Sequence, residues 1–414
     1  MLVSEPPPPN PRMVAWAREQ AGYDVEQVAR RLQVKPEQVR AWEAGRAPTV
    51  RQLMNLAAFL RRPLSFFYQR EPPKVRPLAA EYRRLAGVTP GVESPEFRRS
   101  VRDMLARRDL ILDLMEELGQ QMPLFSLTAQ LADDPKAVGG RLRSRIGLTD
   151  QTQAAWRDKW QAWREWRSAI EDVGVLVFMF PDVPLDEARG MALFRKPLPV
   201  AAVNTKEVAE SRAYTALHEV VHIMLANGGQ ESPAAQETGS PAELQKLERF
   251  AEVAASYAVV SEEAFRQAVG QAAPTDVAGM RELAMRFQIT PLAAATRLRE
   301  SGAIGWHEYN LWRASWTEYA SSLPRSSGFA TPVSKTIGRG GRTFAQLVFE
   351  ALDSNALTMA EAARALNLRT AHFDKLRQRL VQGSTAEAKN RMTLKTHNQR
   401  LPQGIFPRDD ETTP

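Results

Sequence analysis

The chain of 414 residues has no cysteine. That absence removes disulfide scaffolds, thiol nucleophiles, cysteine-ligated zinc and iron–sulfur clusters, so any metal has to sit on His, Asp or Glu. Histidine is scarce as well: the chain holds five, His218, His222, His307, His372 and His397, and a site that needs two of them has few ways to be built. No stretch reaches about 18 apolar residues, the least that spans a membrane. Met1-Leu2-Val3-Ser4-Glu5, followed by four prolines, has neither a basic start nor an apolar core, which predicts a cytoplasmic protein with no membrane partner. What is present, 43% hydrophobic and 25% charged residues, fits a soluble globular chain, and the length fits two or three domains.

The net charge of +7 is unevenly spread. Residues 1–70 carry 11 basic against 6 acidic side chains and residues 324–400 carry 13 against 5, while the segment between them is mildly acidic. Contact with a polyanion is therefore expected at the two ends of the chain.

From Arg12 to Phe67 apolar residues recur at helical spacing in short blocks, which predicts four or five short helices. One runs from about Val25 to Leu32. Only Gln33 and Val34 separate it from Lys35, and Pro36 falls where the first turn of the next helix tolerates a missing N–H. That second helix ends near Ala44, with Gly45 after it. The pair reads as a helix–turn–helix whose second member buries Val39 and Trp42 and turns Lys35, Gln38 and Arg40 outward; Gln38 and Arg40 are the candidates for base edges. Arg46 and Arg51 are placed to hold phosphates and fix register. Val28-Ala29, Val34, Val39, Trp42-Glu43-Ala44-Gly45 and Pro48-Thr49 together resemble the Cro/C1-type (XRE) helix–turn–helix family.

The prolines of Arg70-Glu71-Pro72-Pro73-Lys74-Val75-Arg76-Pro77 predict an extended spacer and a domain boundary near 70. Residues 94–119 and 151–172 have helical periodicity, and Trp156, Trp160, Trp163 and Trp166 fall on one stripe of the second. Such a stripe is read as buried core or a helix–helix contact in preference to a stacking platform.

Gly174 to Phe180 is β-branched and aromatic and stops at Pro181, which predicts a buried strand; Pro199 to Asn204 is a second. A helix from about Glu207 to Ala226 follows and contains His218-Glu219-Val220-Val221-His222. Histidines four apart lie one turn above each other on a helix face, so both imidazoles reach a single tetrahedral ion. The Glu after the first His reaches a water on that ion in place of the ion itself, which is the position of a general base. Composition alone yields roughly 0.004 occurrences of this pattern in a chain of this length. A catalytic ion wants a third protein ligand, and the next helix, about Pro241 to Val260, supplies Glu243, Glu248 and Glu252. Glu248 leads because it borders the buried side defined by Leu247, Phe250, Ala251, Ala254 and Ala255; Glu252 is the fallback. The loop 227–240 is long enough to fold this helix back on the first.

Gly174-Val175 through Phe180, Arg189-Gly190, Pro199 to Asn204, Ala213 through His222, and Glu248-Arg249-Phe250-Ala251-Glu252 resemble the ImmA/IrrE family of metallopeptidase domains. The resemblance implies one Zn2+ per chain, or another divalent transition metal, on His218, His222 and Glu248, with Glu219 as the catalytic base. It also implies a partner regulatory protein as substrate, since similar proteins pair this domain with an XRE module and act on a repressor or stand in toxin–antitoxin and prophage systems. A substrate peptide is expected to add to an edge strand near Pro199–Asn204. Tyr257 and His307 are candidates for stabilising an oxyanion, though a structural role is favoured for each.

Beyond 324 the periodicity predicts helices from Phe344 to Leu352, Thr358 to Leu366 and about Thr370 to Leu380, with Thr358 and Glu361 forming a capping box. Ala362-Ala363, Leu366, Leu368 and Phe373 resemble a second helix–turn–helix, with Arg369, Lys375, Arg377 and Arg379 outside; a DNA contact and a partner surface are both open.

The expected fold is mainly α with a small mixed sheet (α+β): an N-terminal helix–turn–helix bundle (10–69), a linker and helical region (70–150), a zincin-like metallopeptidase domain (151–265), a helical extension (266–323), a C-terminal helical block (324–380) and a disordered tail (381–414). The expected function is a DNA-binding transcriptional regulator with a zinc-dependent peptidase domain, the alternative being an antitoxin or autorepressor that binds DNA and a partner without proteolytic turnover. Expected partners are double-stranded DNA and a repressor, toxin or antitoxin, with a homodimer left open.

Overall fold

The computed structural model describes residues 8–73, 93–121, 124–229, 241–270, 273–322 and 330–382. The expected spacer from Lys74 on, most of the loop 227–240 and the tail beyond 382 lie outside the described residues. The chain divides into two compact units, residues 1–327 and 328–414.

The first unit opens with α1 (Pro11–Ala21), α2 (Val25–Leu32), α3 (Pro36–Glu43), α4 (Val50–Leu60) and a 3-10 turn (Leu64–Tyr68). Their boundaries have local causes. Asp24 accepts from the Gln27 N–H while Gln27 returns the bond to the Asp24 N–H, and Gln33 ends α2 in the left-handed region at φ 56°. Met13, Val14, Val28, Val39, Trp42, Leu53, Leu56 and Phe67 form one core. Asn10 closes the bundle by donating to the carbonyls of Gln69 (2.8 Å) and Arg70 (2.9 Å).

The helix α5 (Pro95–Glu117), close to the predicted 94–119, joins this bundle to the rest of the unit. Near its start Arg98 donates to the Glu19 carbonyl (3.1 Å), Arg102 donates to the Gln20 carbonyl, and Asp103 pairs with Arg61 (2.9 Å). Further along, the buried Arg108 donates to the carbonyls of Leu198 (2.7 Å) and Lys196 (2.8 Å), beside the sheet.

The larger domain contains α6 (Pro135–Ile146), α7 (Asp150–Ala154), α8 (Lys159–Asp172), β1 (Leu176–Phe180), β2 (Gly190–Leu193), β3 (Val200–Asn204), α9 (Ala209–Asn227), α10 (Pro241–Val259), α11 (Glu262–Val269), α12 (Val277–Phe287), α13 (Pro291–Glu300) and α14 (Trp306–Ser322). One buried cluster runs from Phe125 to Trp312, so parts of the segments expected as linker region and helical extension pack in the same core as 151–265. The single helix predicted over 151–172 is in fact α7 and α8. Asp158 starts α8 by accepting from the N–H groups of Trp160 (2.8 Å) and Gln161 (2.9 Å), a cap that competes with helix continuity. Three of the four tryptophans, Trp156, Trp163 and Trp166, are buried as expected; Trp160 is 48% exposed, with the Arg212 guanidinium 5.2 Å from its ring.

The sheet order is β1-β3-β2, with β3 parallel to β1 and antiparallel to β2. The expectation that 199–204 forms an edge strand is therefore wrong: β3 is central, and its ladder groups are taken on both sides. The edges are β1 and β2, and the four residues of β2 are too few to show a period in the sequence.

The second unit holds α15 (Pro332–Gly340), α16 (Arg342–Asp353), α17 (Met359–Leu366), a 3-10 turn (Thr370–His372) and α18 (373–382). Phe344, Val348, Phe349, Ala362, Leu366, Leu368, Phe373 and Leu376 are buried, and the rings of Phe349 and Phe373 meet edge-on at 5.4 Å. The α15 helix, which the sequence reading did not identify, begins at a Thr331 cap with Pro332 at its first position. Among the described residues no helix is long and apolar enough to cross a membrane.

Candidate metal centre and nucleic-acid interface

The helix carrying the two histidines lies between the sheet and α10, and its middle, Thr215 to Leu225, is buried throughout. Burial on that scale suits a helix packed on several sides. Small residues let its neighbours approach. Ala251, Ala254, Ala255 and Ala258 make the inner face of α10 narrow. On the far side of α10, Gly139 of α6 is so close that an added Cβ would stand 2.3 Å from the Ala254 carbonyl oxygen.

Within this packing His218, His222 and Glu248 converge. The two Nε2 atoms are 3.0 Å apart, and the Glu248 oxygens lie 3.2 Å from Nε2 of His218 and 3.7 Å from Nε2 of His222. Ligands about 2 Å from one tetrahedral ion stand roughly 3.3 Å apart, so the donor spacing and the donor chemistry, two imidazoles and a carboxylate, both fit a zinc-type ion. Among the described residues this is the one group of three or more such side chains that could hold an ion. Burial opposes ionisation of Glu248, but hydrogen bonds from His218 and His222 prevail and hold its carboxyl well below the usual carboxylate range. The side chain is therefore anionic, as a ligand must be. Glu243 and Glu252, the other carboxylates considered, are exposed and lie outside this group.

Glu219 is 4% exposed and points to the sheet side of the helix. Its carboxylate occupies the space beside Gly190, where an added Cβ would stand 2.4 Å from Oε1 and 2.7 Å from Cγ2 of Thr215. The edge strand β2 thus touches the candidate base, and glycine is what admits the carboxylate there. Sequence reasoning quoted Gly190 as part of a resemblance and missed this contact; the signal was a glycine in a run that is otherwise strand-like. Asn204, fully buried at the end of β3, donates to the carbonyls of Val183 (3.0 Å) and Ala188 (2.8 Å) and so fixes the loop that leads into β2.

Tyr214 lies one turn before His218, with ring centroids 6.4 Å apart, and donates to the Glu252 carbonyl (3.2 Å). Burial, together with Glu252, Glu300 and Glu248, pushes its phenol up, so it remains a donor. Tyr257 instead stacks under the Arg297 guanidinium, 3.1 Å from its ring centre, and His307 is exposed at the start of α14; neither joins the His–His–Glu group.

In the N-terminal bundle Lys35, Gln38, Arg40, Arg46 and Arg51 are all exposed, while Val39 and Trp42 anchor α3 in the core. Two of the five are engaged within the protein. Gln38 Oε1 accepts from the Lys35 N–H (3.2 Å), which leaves its amide N–H groups to donate. Arg40 pairs with Glu26 of α2 and, at 3.7 Å, with Glu37. Both partners are exposed, so the tie is worth about 1 kcal/mol or less.

Residues 14–67 match the family model described as helix-turn-helix, and residues 170–299 match that of the IrrE N-terminal-like domain. No curated protein matches the chain. The first match spans α2, α3 and α4; the second runs from the end of α8 nearly to the end of α13 and includes the sheet and all three converging side chains. The chain is thus a fusion, joining a DNA-binding helix–turn–helix domain of the XRE type to a metallopeptidase domain of the ImmA/IrrE family.

Proposed function

We propose that this chain is a transcriptional regulator whose peptidase centre cuts a partner regulatory protein, with His218, His222 and Glu248 holding Zn2+ and Glu219 acting as the base. The observation that carries the reading is the convergence of two helix-borne imidazoles and a carboxylate, with a second, buried carboxylate on the residue after His218 that lies against the edge strand β2. The chemistry such an ion supplies when bound is Lewis acidity, which polarises a scissile carbonyl and brings a water molecule's pKa near 7. Glu219 takes the proton of the attacking water and returns it to the leaving amine; the water oxygen bonds to the carbonyl carbon as the C–N bond breaks. Gly190 keeps the space in which that carboxylate moves. The edge strand β2 aligns an extended substrate segment by backbone pairing, with side-chain pockets setting preference.

In the N-terminal bundle, α3 reads the major groove through Gln38 and Arg40, while Lys35, Arg46 and Arg51 hold phosphates. Repressors and toxin–antitoxin or prophage components are the partner class that suits a peptidase tied to DNA.

The deciding experiment is Glu219→Gln in the full chain, incubated with the product of a neighbouring regulatory gene. Loss of cleavage with zinc content and DNA affinity intact supports the peptidase. Full biological activity of that variant overturns it in favour of an antitoxin or autorepressor that works by contact.

A further inference from the structure

The second unit repeats the local geometry of the N-terminal helix–turn–helix. The α17 and α2 helices are both eight residues long, and each opens on a reciprocal capping box, Thr358 with Glu361 and Asp24 with Gln27. Each ends on an amide side chain in the left-handed region, Asn367 at φ 47° and Gln33 at φ 56°. The following N–H turns back to the same place, Leu368 onto the Ala363 carbonyl and Val34 onto the Ala29 carbonyl, both at 3.0 Å. The next helical turn then starts three residues past the left-handed residue, at Thr370 and at Pro36. At the same offset, Ala362, Phe373 and Leu376 are buried where Val28, Val39 and Trp42 are buried.

The turn alone is not diagnostic. It recurs between α12 and α13, where Gln288 is left-handed at φ 55° and Ile289 bonds back to Ala284 (3.1 Å). There, however, the second helix is sunk in the peptidase core, with Ala294, Ala295 and Leu298 fully buried and Arg297 nearly so. In the second unit the corresponding helix shows solvent a polar, basic face. Arg364, Arg369, Thr370, Lys375, Gln378 and Arg379 are exposed, and Asp374 is the one exposed carboxylate on the turn and helix 367–382. Residues 330–382 hold eight basic and four acidic side chains. Two of the four acids are engaged locally, Asp353 by Arg377 (2.6 Å) and Glu361 by its capping box. The face also lacks the exposed aromatics that mark protein interfaces.

From these observations we infer that the second unit is a second duplex-DNA-binding module, in which the helix 370–382 enters a major groove. At the same offset Arg369, His372 and Asp374 take the places of Lys35, Gln38 and Arg40, so His372 and Asp374 face base edges, and Arg364, Arg369, Lys375 and Arg379 neutralise phosphates. Asp374 suits a cytosine amino group. Two modules on one chain make the second contact intramolecular, so full-chain affinity exceeds that of either module alone.

The test uses the full chain and a mixed-sequence duplex of about 40 base pairs, long enough for two half-sites separated by whole turns. Binding is followed by fluorescence anisotropy across a salt series. The variant Arg369→Gln/Lys375→Gln/Arg379→Gln removes three cations without touching the core. It is expected to weaken binding by about tenfold or more and to flatten the log–log salt slope by about 3. An Arg266→Gln/Arg313→Gln control, on exposed arginines of the larger domain, is expected to leave both unchanged. Arg46→Gln/Arg51→Gln reports on the N-terminal module separately, so failure of one module is not mistaken for failure of the other. Unchanged affinity and slope in the triple variant overturn the inference, including the case in which that variant instead loses a protein partner. An equal loss in the control overturns it too. If the triple variant unfolds, Lys375→Gln serves in its place: weaker binding with a slope flatter by about 1 supports the module, and unchanged affinity and slope overturn it.

Discussion

The candidate metal centre and the N-terminal helix–turn–helix put their candidate residues in opposite environments. His218, His222 and Glu219 are almost entirely buried on a helix enclosed by a sheet and a second helix. Lys35, Gln38, Arg40, Arg46 and Arg51 stand in solvent, and two of them are held by bonds within the protein. A buried centre is set by packing before any substrate arrives, so one displaced atom is felt in full. An exposed reading face is set by its ligand, and its contribution is spread over several weak, salt-screened contacts.

Four changes sharpen or break that contrast. Glu219→Gln is expected to lower the rate of partner cleavage by about 10²- to 10⁴-fold, the usual worth of a positioned base, while zinc stoichiometry by elemental analysis stays at the wild-type level; retained cleavage would show that the centre does not work as a unit. Gly190→Ala brings a methyl group into the space of the Glu219 carboxylate. Its expected effect is a rate loss of about tenfold or more at unchanged metal content, with about 1–3 kcal/mol of destabilisation in denaturant unfolding. Arg46→Gln is expected to weaken duplex binding evenly across sequences and to reduce the salt slope by about 1 in an anisotropy series. The smallest change is Glu26→Gln, which removes the nearer of Arg40's two carboxylate partners; DNA affinity is expected to rise by up to about fivefold at low salt, an effect that vanishes at high salt. Should Glu26→Gln instead weaken binding, the pair would be positioning Arg40, and the exposed face would be more preorganised than the contrast allows.

Legibility in the sequence followed the same division. The His–His pair on one helix face could be read because a period of 3.6 residues makes spacing equal to direction. The third side chain was narrowed to a helix and its buried border, and Glu248 is the carboxylate that meets the imidazoles. Some helix boundaries were legible from local signals, as at Pro36 and at Thr358 with Glu361, whereas the equally local caps at Thr331 and Asp158 were not used. Most of what escaped was non-local. The four residues of β2 carry no period, so the central strand β3 was taken for an edge. The tryptophan spacing runs across 151–172 without a break, so it does not show the Asp158 cap that divides this segment. The contact between Gly190 and Glu219 joins residues 29 apart and leaves only a glycine as its trace. On the reading face, residue types were legible but their engagement was not, because the Arg40–Glu26 pair depends on where α2 ends relative to α3.

The 23 residues of α5 deserve a mechanical reading. At 1.5 Å per residue they form a strut of about 35 Å. Its first half is fastened to the carbonyl end of α1 through Arg98 and Arg102, and its second half to the sheet margin through Arg108. A strut pinned along its length transmits torque. Turning the N-terminal bundle therefore turns the sheet margin, and the candidate metal centre behind it, through the same angle.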